Sequence, residues 1–335
     1  MRVKLGDVCE RGTSNLKLSD VSEKNGEFSV FGASGYIGSV DFYQQGYPYV
    51  AVVKDGAGIG RAMLCPGKTS VIGTMQYLLP KDNILPKYLF YVVKYMNLEK
   101  YFTGATIPHI YFKDYKNEEF NFDFWERQVE IVSVLSKCEK VIDLCKQELQ
   151  LLDKLIKARF VELFGDPVSN SYGLPEATLP DLGEFGRGVS KHRPRNDIKL
   201  LGGKYPLIQT GDVANAGLYI TSYSSTYSEL GLKQSKMWDK GTLCITIAAN
   251  IAKTAILEFD ACFPDSVVGF IANERTNNIF VHYWFSFFQA ILESQAPESA
   301  QKNINLKILS ELKVIVPEKR KQDQFASFVK LTDKS

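Results

Sequence analysis

The longest regular pattern of apolar and polar positions runs from Trp125 to Phe164, without a glycine or proline. Apolar residues recur there at alternating four- and three-residue steps between charged residues of both signs, which is the period of a coiled-coil seam. Gly165 and Pro167 then stop the pattern, so it predicts one helix over 125–164, about 60 Å long. The seam positions are Ile131, Leu135, Cys138, Ile142, Cys145, Leu149, Leu152 and Ile156.

Shorter patterns on both sides of this helix predict mixed α/β structure. Runs rich in β-branched residues beside Gly-rich turns predict strands at 49–53 and 243–247. Longer aromatic-rich runs without glycine or proline predict helices at 88–95 and 283–292. Two final strands, at 120–122 and 313–316, are expected to lead into helices.

The chain also contains an internal repeat. Residues 110–135 match residues 304–329 without a gap, so that Ile110 pairs with Ile304 and Gln128 with Gln322. Upstream, residues 28–31 resemble 205–208, and residues 70–73 resemble 266–269, in the same order. The spacing predicts additional residues in the second copy, within 209–250. Collinear matches of this kind indicate two copies of one module, each leading into a helix.

Composition narrows the class of protein. The net charge of +2 means that a nucleic-acid partner must be held by local basic patches rather than by bulk charge. The six cysteines form no CxxC pair, which favours a reducing cytoplasm and no structural zinc. No apolar run has the length of a membrane span, so we expect no membrane association.

Motifs typical of enzymes are incomplete. The glycines of 56–60 are followed by Arg61 where a dinucleotide-binding loop needs a third spaced glycine, so we predict a tight turn that presents a cation. Asp181 and Asp265 each follow a proline but lack the Glu-x-Lys of a metal nuclease, and we predict capping roles for both. We therefore expect no catalytic residues, no metal and no cofactor in this chain.

Basic and amide side chains in loops are the candidates for DNA contact. The stretch 186–199 is strongly basic on an otherwise neutral module, although a solvated flexible loop would have the same composition. The loops at 103–109 and 299–303 occupy equivalent places in the two copies, and Gln, Asn, Lys and Arg are the residues that read base edges. The candidates are Lys17, Lys54, Arg61, Thr106, His109, Arg187, Lys191, His192, Arg193, Arg195, Gln209, Lys253, Gln301, Lys302 and Asn303.

Two diverged modules, a heptad helix ending in Phe164-Gly165-Asp166-Pro167 and a second helix after the second module resemble the specificity subunit of Type I restriction–modification systems. The resemblance implies two α/β (α+β) target-recognition domains with mixed sheets, separated by a long coiled-coil helix and related by a pseudo-two-fold axis. We place the domains at 1–123 and 167–317, the central helix at 124–166 and the distal helix at 318–335. Each domain would read one half of a split site on double-stranded DNA.

The same resemblance implies the partners. The helices would dock two methyltransferase subunits, restriction subunits would join them, and S-adenosylmethionine, ATP and Mg would bind those partners rather than this non-catalytic chain. The sequence departs from the family pattern because the distal helix supplies only its first seam positions before Ser335. Either the chain is a shortened form, or it completes its coiled coil by self-association with another chain.

One alternative remains open from the residues alone. A non-enzymatic coiled-coil scaffold, whose two modules bind protein, would also account for the long helix and the small net charge. It accounts poorly for the polar, base-reading residues at matching positions of both copies.

Overall fold

A computed structural model describes residues 1–22, 26–104, 108–295 and 304–332. The chain divides into two compact units, Met1–Cys145 and Lys146–Ser335, so the division falls within the long helix. No helix in the described residues combines the length and the apolar character needed to cross a membrane.

The first unit begins with a strand that pairs with the last strand before the long helix. Its elements are β1 (Arg2–Lys4), α1 (Leu5–Val8), β2 (Cys9–Thr13), α2 (Leu18–Ser22), β3 (Phe28–Gly32), β4 (Gly35–Val40), β5 (Tyr49–Val53), β6 (Ala62–Cys65), β7 (Ser70–Val71), β8 (Met75–Pro80), α3 (Pro86–Met96), a 3-10 helix (Leu98–Tyr101), α4 (Phe112–Tyr115), β9 (Glu119–Asn121) and α5 (Trp125–Phe164).

Two sheets form the body of this unit. The larger has the antiparallel order β2-β8-β5-β6, and the smaller has the order β4-β3-β7, with β3 and β7 parallel. All five side chains of β5 are buried because this central strand is covered on both faces. Its Val50 and Val52 face one core with helix α3, whereas Tyr49, Ala51 and Val53 face another.

The second unit repeats this plan and ends in a second helix. Its elements are β10 (Glu176–Ala177), α6 (Leu179–Leu182), β11 (Gly183–Arg187), a 3-10 helix (Ile198–Leu200), β12 (Leu201–Leu207), α7 (Thr210–Asn215), β13 (Tyr219–Ile220), β14 (Ser225–Tyr227), α8 (Glu229–Lys233), β15 (Met237–Trp238), β16 (Leu243–Thr246), β17 (Thr254–Leu257), β18 (Ala261–Cys262), β19 (Val267–Ala272), α9 (Asn278–Gln295), α10 (Leu306–Glu311), β20 (Val314–Ile315) and α11 (Lys319–Thr332).

The sheets of the second unit correspond to those of the first. The order β11-β19-β16-β17 matches β2-β8-β5-β6 and is extended by β13, while β14-β12-β18 matches β4-β3-β7 and is extended by β15. The additional residues predicted for the second copy are thus confirmed, and they include α7 and β13 between β12 and β14. This mixed α+β architecture in two repeated units is the fold class that the sequence predicted.

One detail of the predicted repeat is wrong. Residues 70–73 do not correspond to 266–269. In the first unit Ser70 of β7 lies opposite Val30 of the parallel strand β3, and in the second unit Cys262 of β18 lies opposite Leu207 of the parallel strand β12. Strand β7 is therefore the counterpart of β18. The partner of β2 is β8, and the partner of β11 is β19, which makes Met75–Pro80 the counterpart of Val267–Ala272. The similarity of two short Ser-Val-x-Gly stretches is therefore coincidental, and strand pairing decides the register.

Equivalent buried glutamines show how closely the copies agree. Gln128 accepts a hydrogen bond from the Leu85 amide at 2.9 Å, and its Nε2 donates to the carbonyl oxygens of Asn83 at 3.0 Å and Asp123 at 2.9 Å. In the second unit Gln322 also donates to two carbonyl oxygens, those of Arg275 and Pro317, but its Oε1 accepts from the Thr276 hydroxyl rather than from a backbone amide. Each glutamine ties the first turn of its helix, α5 or α11, to the residues that precede α3 or α9.

Helix α5 has the bounds that its apolar pattern predicts, and it ends where Gly165 takes a left-handed φ of +74°. Its two ends belong to different cores. Ile131 and Val132 pack against the core of the first unit, whereas Ile156, Phe160 and Phe164 are buried in the second. Between these ends, every residue from Lys140 to Leu151 is exposed.

Candidate nucleic-acid interface

The predicted DNA-contacting residues of the first unit gather at one end of its larger sheet. At this end β2 and β5 finish while β8 and β6 begin, since Thr13 lies opposite Gln76, Val53 opposite Met75 and Val52 opposite Ala62. Lys54 directly follows β5, and Arg61 directly precedes β6. Lys17 reaches the same end, because the carbonyl oxygen of its neighbour Leu16 accepts from the amide of Gly73 at 2.7 Å.

The glycine-rich turn between β5 and β6 places Arg61 over its own backbone. Gly56, Gly58 and Gly60 have φ values of +84°, +84° and +79°, a region in which other residues are strained. The guanidinium donates to the carbonyl oxygens of Gly58 at 3.3 Å and Ala57 at 3.4 Å. A Cβ on Gly58 would overlap this guanidinium. The turn is therefore a tight turn with an exposed cation, as the sequence predicted.

Asp55, which no sequence pattern indicates as part of the site, joins Lys54 to His109. Its carboxylate lies 3.3 Å from Lys54 Nζ and 2.6 Å from His109 Nδ1. Backbone bonds fix this contact, because the Gly56 amide donates to Pro108 at 3.0 Å and the Ile110 amide to Lys54 at 2.9 Å. Tyr111 stacks beside His109, with ring centroids 6.2 Å apart. Thr106 lies outside the described residues.

The second unit brings its basic residues to the equivalent end. Arg187 ends β11 opposite Val268, and Lys253 immediately precedes β17. Gln209 follows β12, which is parallel to β18 with Leu207 opposite Cys262, and it is exposed. Ile304, the counterpart of Ile110, is buried and donates to Ile247 at 3.0 Å. Gln301, Lys302 and Asn303 lie outside the described residues.

The loop after β11 is held in a defined shape, unlike a flexible solvated loop. It enters at Gly188, where a Cβ would overlap the carbonyl oxygens of Phe263 and Pro264. The amides of Lys191 and His192 both donate to Gln234 Oε1, at 2.7 Å and 3.0 Å. His192 Nε2 lies 3.1 Å from Asp197, and a hydrogen bond from the Lys199 amide lowers the pKa of that carboxyl.

Three arginines of this region meet at Asp265. The Arg187 Nε donates to its carbonyl oxygen at 2.8 Å, while Arg193 and Arg195 approach its carboxylate at 3.4 Å and 2.5 Å. The capping role predicted for Asp265 is therefore wrong, since its carboxylate is occupied by guanidinium groups. The same prediction is confirmed for Asp181, which accepts from the Thr178 amide at 3.0 Å in front of α6.

These geometries describe two similar units, each presenting cationic side chains at the same end of its main sheet. Among the described residues no group of His, Cys, Asp and Glu has an arrangement that could hold a metal ion. A pair of such units on one chain, with a long helix between them, defines a protein that recognises a partner through two separate surfaces.

The chain belongs to the family described as the Type I restriction modification DNA specificity domain, whose model matches residues 1–154 and again 176–335. It is a specificity subunit with two repeated DNA-recognition domains. This finding favours DNA recognition over the protein-binding scaffold that the residues alone left open.

Individual relatives are distant in sequence. The chain is 22% identical over 292 residues to the MjaX type I restriction enzyme specificity subunit of Methanocaldococcus jannaschii, covering 82% of this chain and 68% of that protein. It is 26% identical over 179 residues to the MjaIX specificity subunit of the same organism, covering 48% of this chain and 40% of the relative. The crystal structure of the Type I restriction–modification S subunit from M. genitalium shares the fold, with a TM-score of 0.64, 17% identity and coverage of 100% and 89%.

Proposed function

We propose that each unit reads one half of a split site on double-stranded DNA through the basic end of its larger sheet. The observation that supports this proposal is the placement of Lys54, Arg61 and His109 in the first unit and Arg187 and Lys253 in the second. Arg61 and Lys253 immediately precede the equivalent strands β6 and β17. Lys54 follows β5, Arg187 ends β11, and His109 reaches the same end of its unit through Asp55. Exposed guanidinium and ammonium groups bind phosphates and guanine edges.

In this proposal α5 sets the gap between the two half-sites and docks methyltransferase subunits. Its middle is exposed on all sides and carries apolar residues at heptad spacing, including Ile142 and Leu149, at 53% and 63% exposure. A helix with this face needs a partner to cover it. The seam positions therefore serve as the contact for two methyltransferase subunits or for a second copy, and restriction subunits join that assembly.

The chain itself contributes recognition and no catalysis under this proposal. S-adenosylmethionine, ATP and Mg are bound by the partner subunits. We place the assembly in the cytoplasm, which agrees with six free thiols, all of them in the described part of the chain.

A lengthened helix tests the spacing role. Repeating residues 140–146 once after Lys146 extends α5 by seven residues, or about 10 Å, within its exposed stretch. Since the rise of duplex DNA is about 3.4 Å per base pair, the recognised gap should grow by roughly three base pairs. The readout is methylome sequencing of cells that express the variant with its methyltransferase subunits.

The matched control keeps the length and the seam residues Ile142 and Cys145, replaces only Lys140, Asp143 and Lys146 with other polar residues, and should leave the gap unchanged. If the lengthened variant methylates sites with the original gap, α5 does not determine the spacing. If the lengthened variant methylates no site while the control does, the DNA site that the lengthened variant binds is selected from randomised duplexes. The spacing role then requires that the selected site have a longer gap.

A further inference from the structure

The basic loop of the second unit converges on a single acidic residue. Arg187 is bound through the Asp265 carbonyl oxygen, and Arg193 and Arg195 lie on the two carboxylate oxygens of the same residue. Arg193 also donates to the carbonyl oxygens of Ser190 at 2.6 Å and His192 at 2.9 Å. One residue in the turn between β18 and β19 therefore contacts the guanidinium groups of three others.

The carboxylate of Asp265 is partly buried and needs a positive charge beside it. Its Oδ1 is buried and has no hydrogen bond in the described structure, so the Arg195 guanidinium is the group that compensates its charge. The two guanidiniums remain accessible, because the side chains of Arg193 and Arg195 are 55% and 47% exposed. They are fixed on one side and open to a ligand on the other.

Fixed guanidinium groups are what base reading requires. A guanine edge is recognised by two parallel N–H donors, and this geometry is lost when a long side chain is free to rotate. A phosphate contact needs only the positive charge nearby and tolerates that freedom. An acidic residue inside a DNA-facing basic cluster weakens phosphate attraction, so its presence at this position is explained by orientation rather than by charge.

We propose that Asp265 is a positioning residue for sequence reading, holding Arg193 and Arg195 in the orientation that selects the half-site of the second unit. The proposal rests on the proposed function of this unit. Loss of a negative charge would ordinarily strengthen all binding to DNA. Here we expect removal of the Asp265 charge to weaken binding to the specific site and to leave binding to non-specific DNA unchanged or stronger.

The test compares wild type with Asp265→Asn in the complete complex with methyltransferase subunits. Fluorescence anisotropy measures affinity for a duplex carrying the site found by methylome sequencing, and for duplexes in which either half-site is scrambled. We expect Asp265→Asn to lose roughly tenfold or more of its discrimination at one half-site and none at the other. Affinity for the scrambled duplexes should be equal to wild type or higher, with a salt dependence at least as steep.

Two further variants separate positioning from charge and from folding. Asp239→Asn removes an exposed carboxylate from the same unit and should leave discrimination at both half-sites intact. Arg195→Lys keeps the charge but lacks the planar pair of donors, and should reproduce the half-site loss even if Asp265→Asn fails to fold. Tryptophan fluorescence reports folding.

Outcomes for the inference and for the proposed function differ. If wild type discriminates both half-sites and Asp265→Asn and Arg195→Lys do so equally well, the positioning role is refuted while DNA reading stands. If wild type discriminates neither half-site, the proposed function itself fails. If Asp265→Asn loses specific and non-specific binding together, with altered tryptophan fluorescence, Arg195→Lys decides the question: loss at one half-site supports the positioning role, and intact discrimination at both refutes it.

Discussion

Gln322, in the first turn of α11, gives the most direct test of what stabilises the second unit. Gln322 is fully buried, accepts from the Thr276 hydroxyl at 2.8 Å, and donates to the carbonyl oxygens of Arg275 at 3.0 Å and Pro317 at 2.8 Å. Thr276 is itself only 3% exposed. Replacing Gln322 with alanine leaves these three polar groups without their partner, and the bonds lost to Thr276 and Pro317 are buried while the bond to Arg275 is partly buried.

The expected cost follows from the number of orphaned groups. A buried donor or acceptor left unsatisfied costs about 1–3 kcal/mol, and the void left by the truncated side chain adds to this. Some relaxation at the end of α11 offsets part of the loss, so we expect destabilisation of about 3 kcal/mol. With a urea m-value of about 2–3 kcal/mol per M, the unfolding midpoint of the second unit should fall by roughly 1 M.

Tryptophan fluorescence isolates this unit in the intact chain. Of the three tryptophans, Trp238 and Trp284 are buried in the second unit, whereas Trp125 is 47% exposed at the start of α5. The buried pair therefore dominates the change in emission on unfolding. Gln324→Ala, at an exposed position on the same helix, is the control and should change stability by less than about 0.5 kcal/mol.

An isosteric variant distinguishes lost hydrogen bonds from lost volume. Gln322→Glu keeps the shape and the acceptor for Thr276, but it turns an oxygen toward the two carbonyl oxygens. Burial raises the pKa of the introduced carboxyl, so its folded form is best tolerated below the unfolded value near 4.3 and becomes more destabilised as pH rises. If Gln322→Ala and Gln322→Glu both unfold at neutral pH within about 0.5 kcal/mol of wild type, the bonding argument is refuted.

Two other predictions concern the long helix and the thiols. The double variant Ile142→Lys, Leu149→Lys should leave the unfolding free energy within about 0.5 kcal/mol of wild type, because both side chains are exposed. It should nevertheless reduce assembly measured by analytical ultracentrifugation, whereas the control Glu148→Gln should not. Unchanged assembly of the double variant would contradict the docking role. Iodoacetamide should modify the exposed Cys138 and Cys145 before Cys9 and Cys65, as mass spectrometry of peptides can show. Burial raises the pKa of the Cys9 thiol to about 12 and of the Cys65 thiol to about 11. The protonated thiols therefore contribute fully to the free energy of unfolding below the unfolded-state pKa near 8.5, and this contribution is lost as the pH rises through 11 to 12. A urea unfolding midpoint that stays constant up to pH 11 would contradict this prediction.

The parts of the fold that the sequence could predict are those fixed by local periodicity. Helix α5 and strand β5 have their predicted bounds, because one depends on a heptad repeat and the other on an unbroken buried run. The pairing of β7 with β3 depends on contacts between distant residues, and short similar stretches misassigned its counterpart. Asp55 was missed, and Asp265 was assigned a capping role, for the same reason: His109 lies 54 residues from Asp55, and Arg193 and Arg195 lie about 70 residues from Asp265.

The two copies share the residues that stabilise each unit and differ in the residues that we propose contact DNA. Gln128 and Gln322 each accept one hydrogen bond and donate two to backbone carbonyl oxygens, and Ile110 and Ile304 are anchored by equivalent backbone contacts. At the end of the sheet that we propose faces DNA the copies differ, because the first unit has a Lys–Asp–His cluster after β5, whereas the second has arginines around a carboxylate between β18 and β19. Side chains of different length and donor geometry select different base edges. The two half-sites read by this chain should therefore differ in sequence, even though the same scaffold presents both reading surfaces.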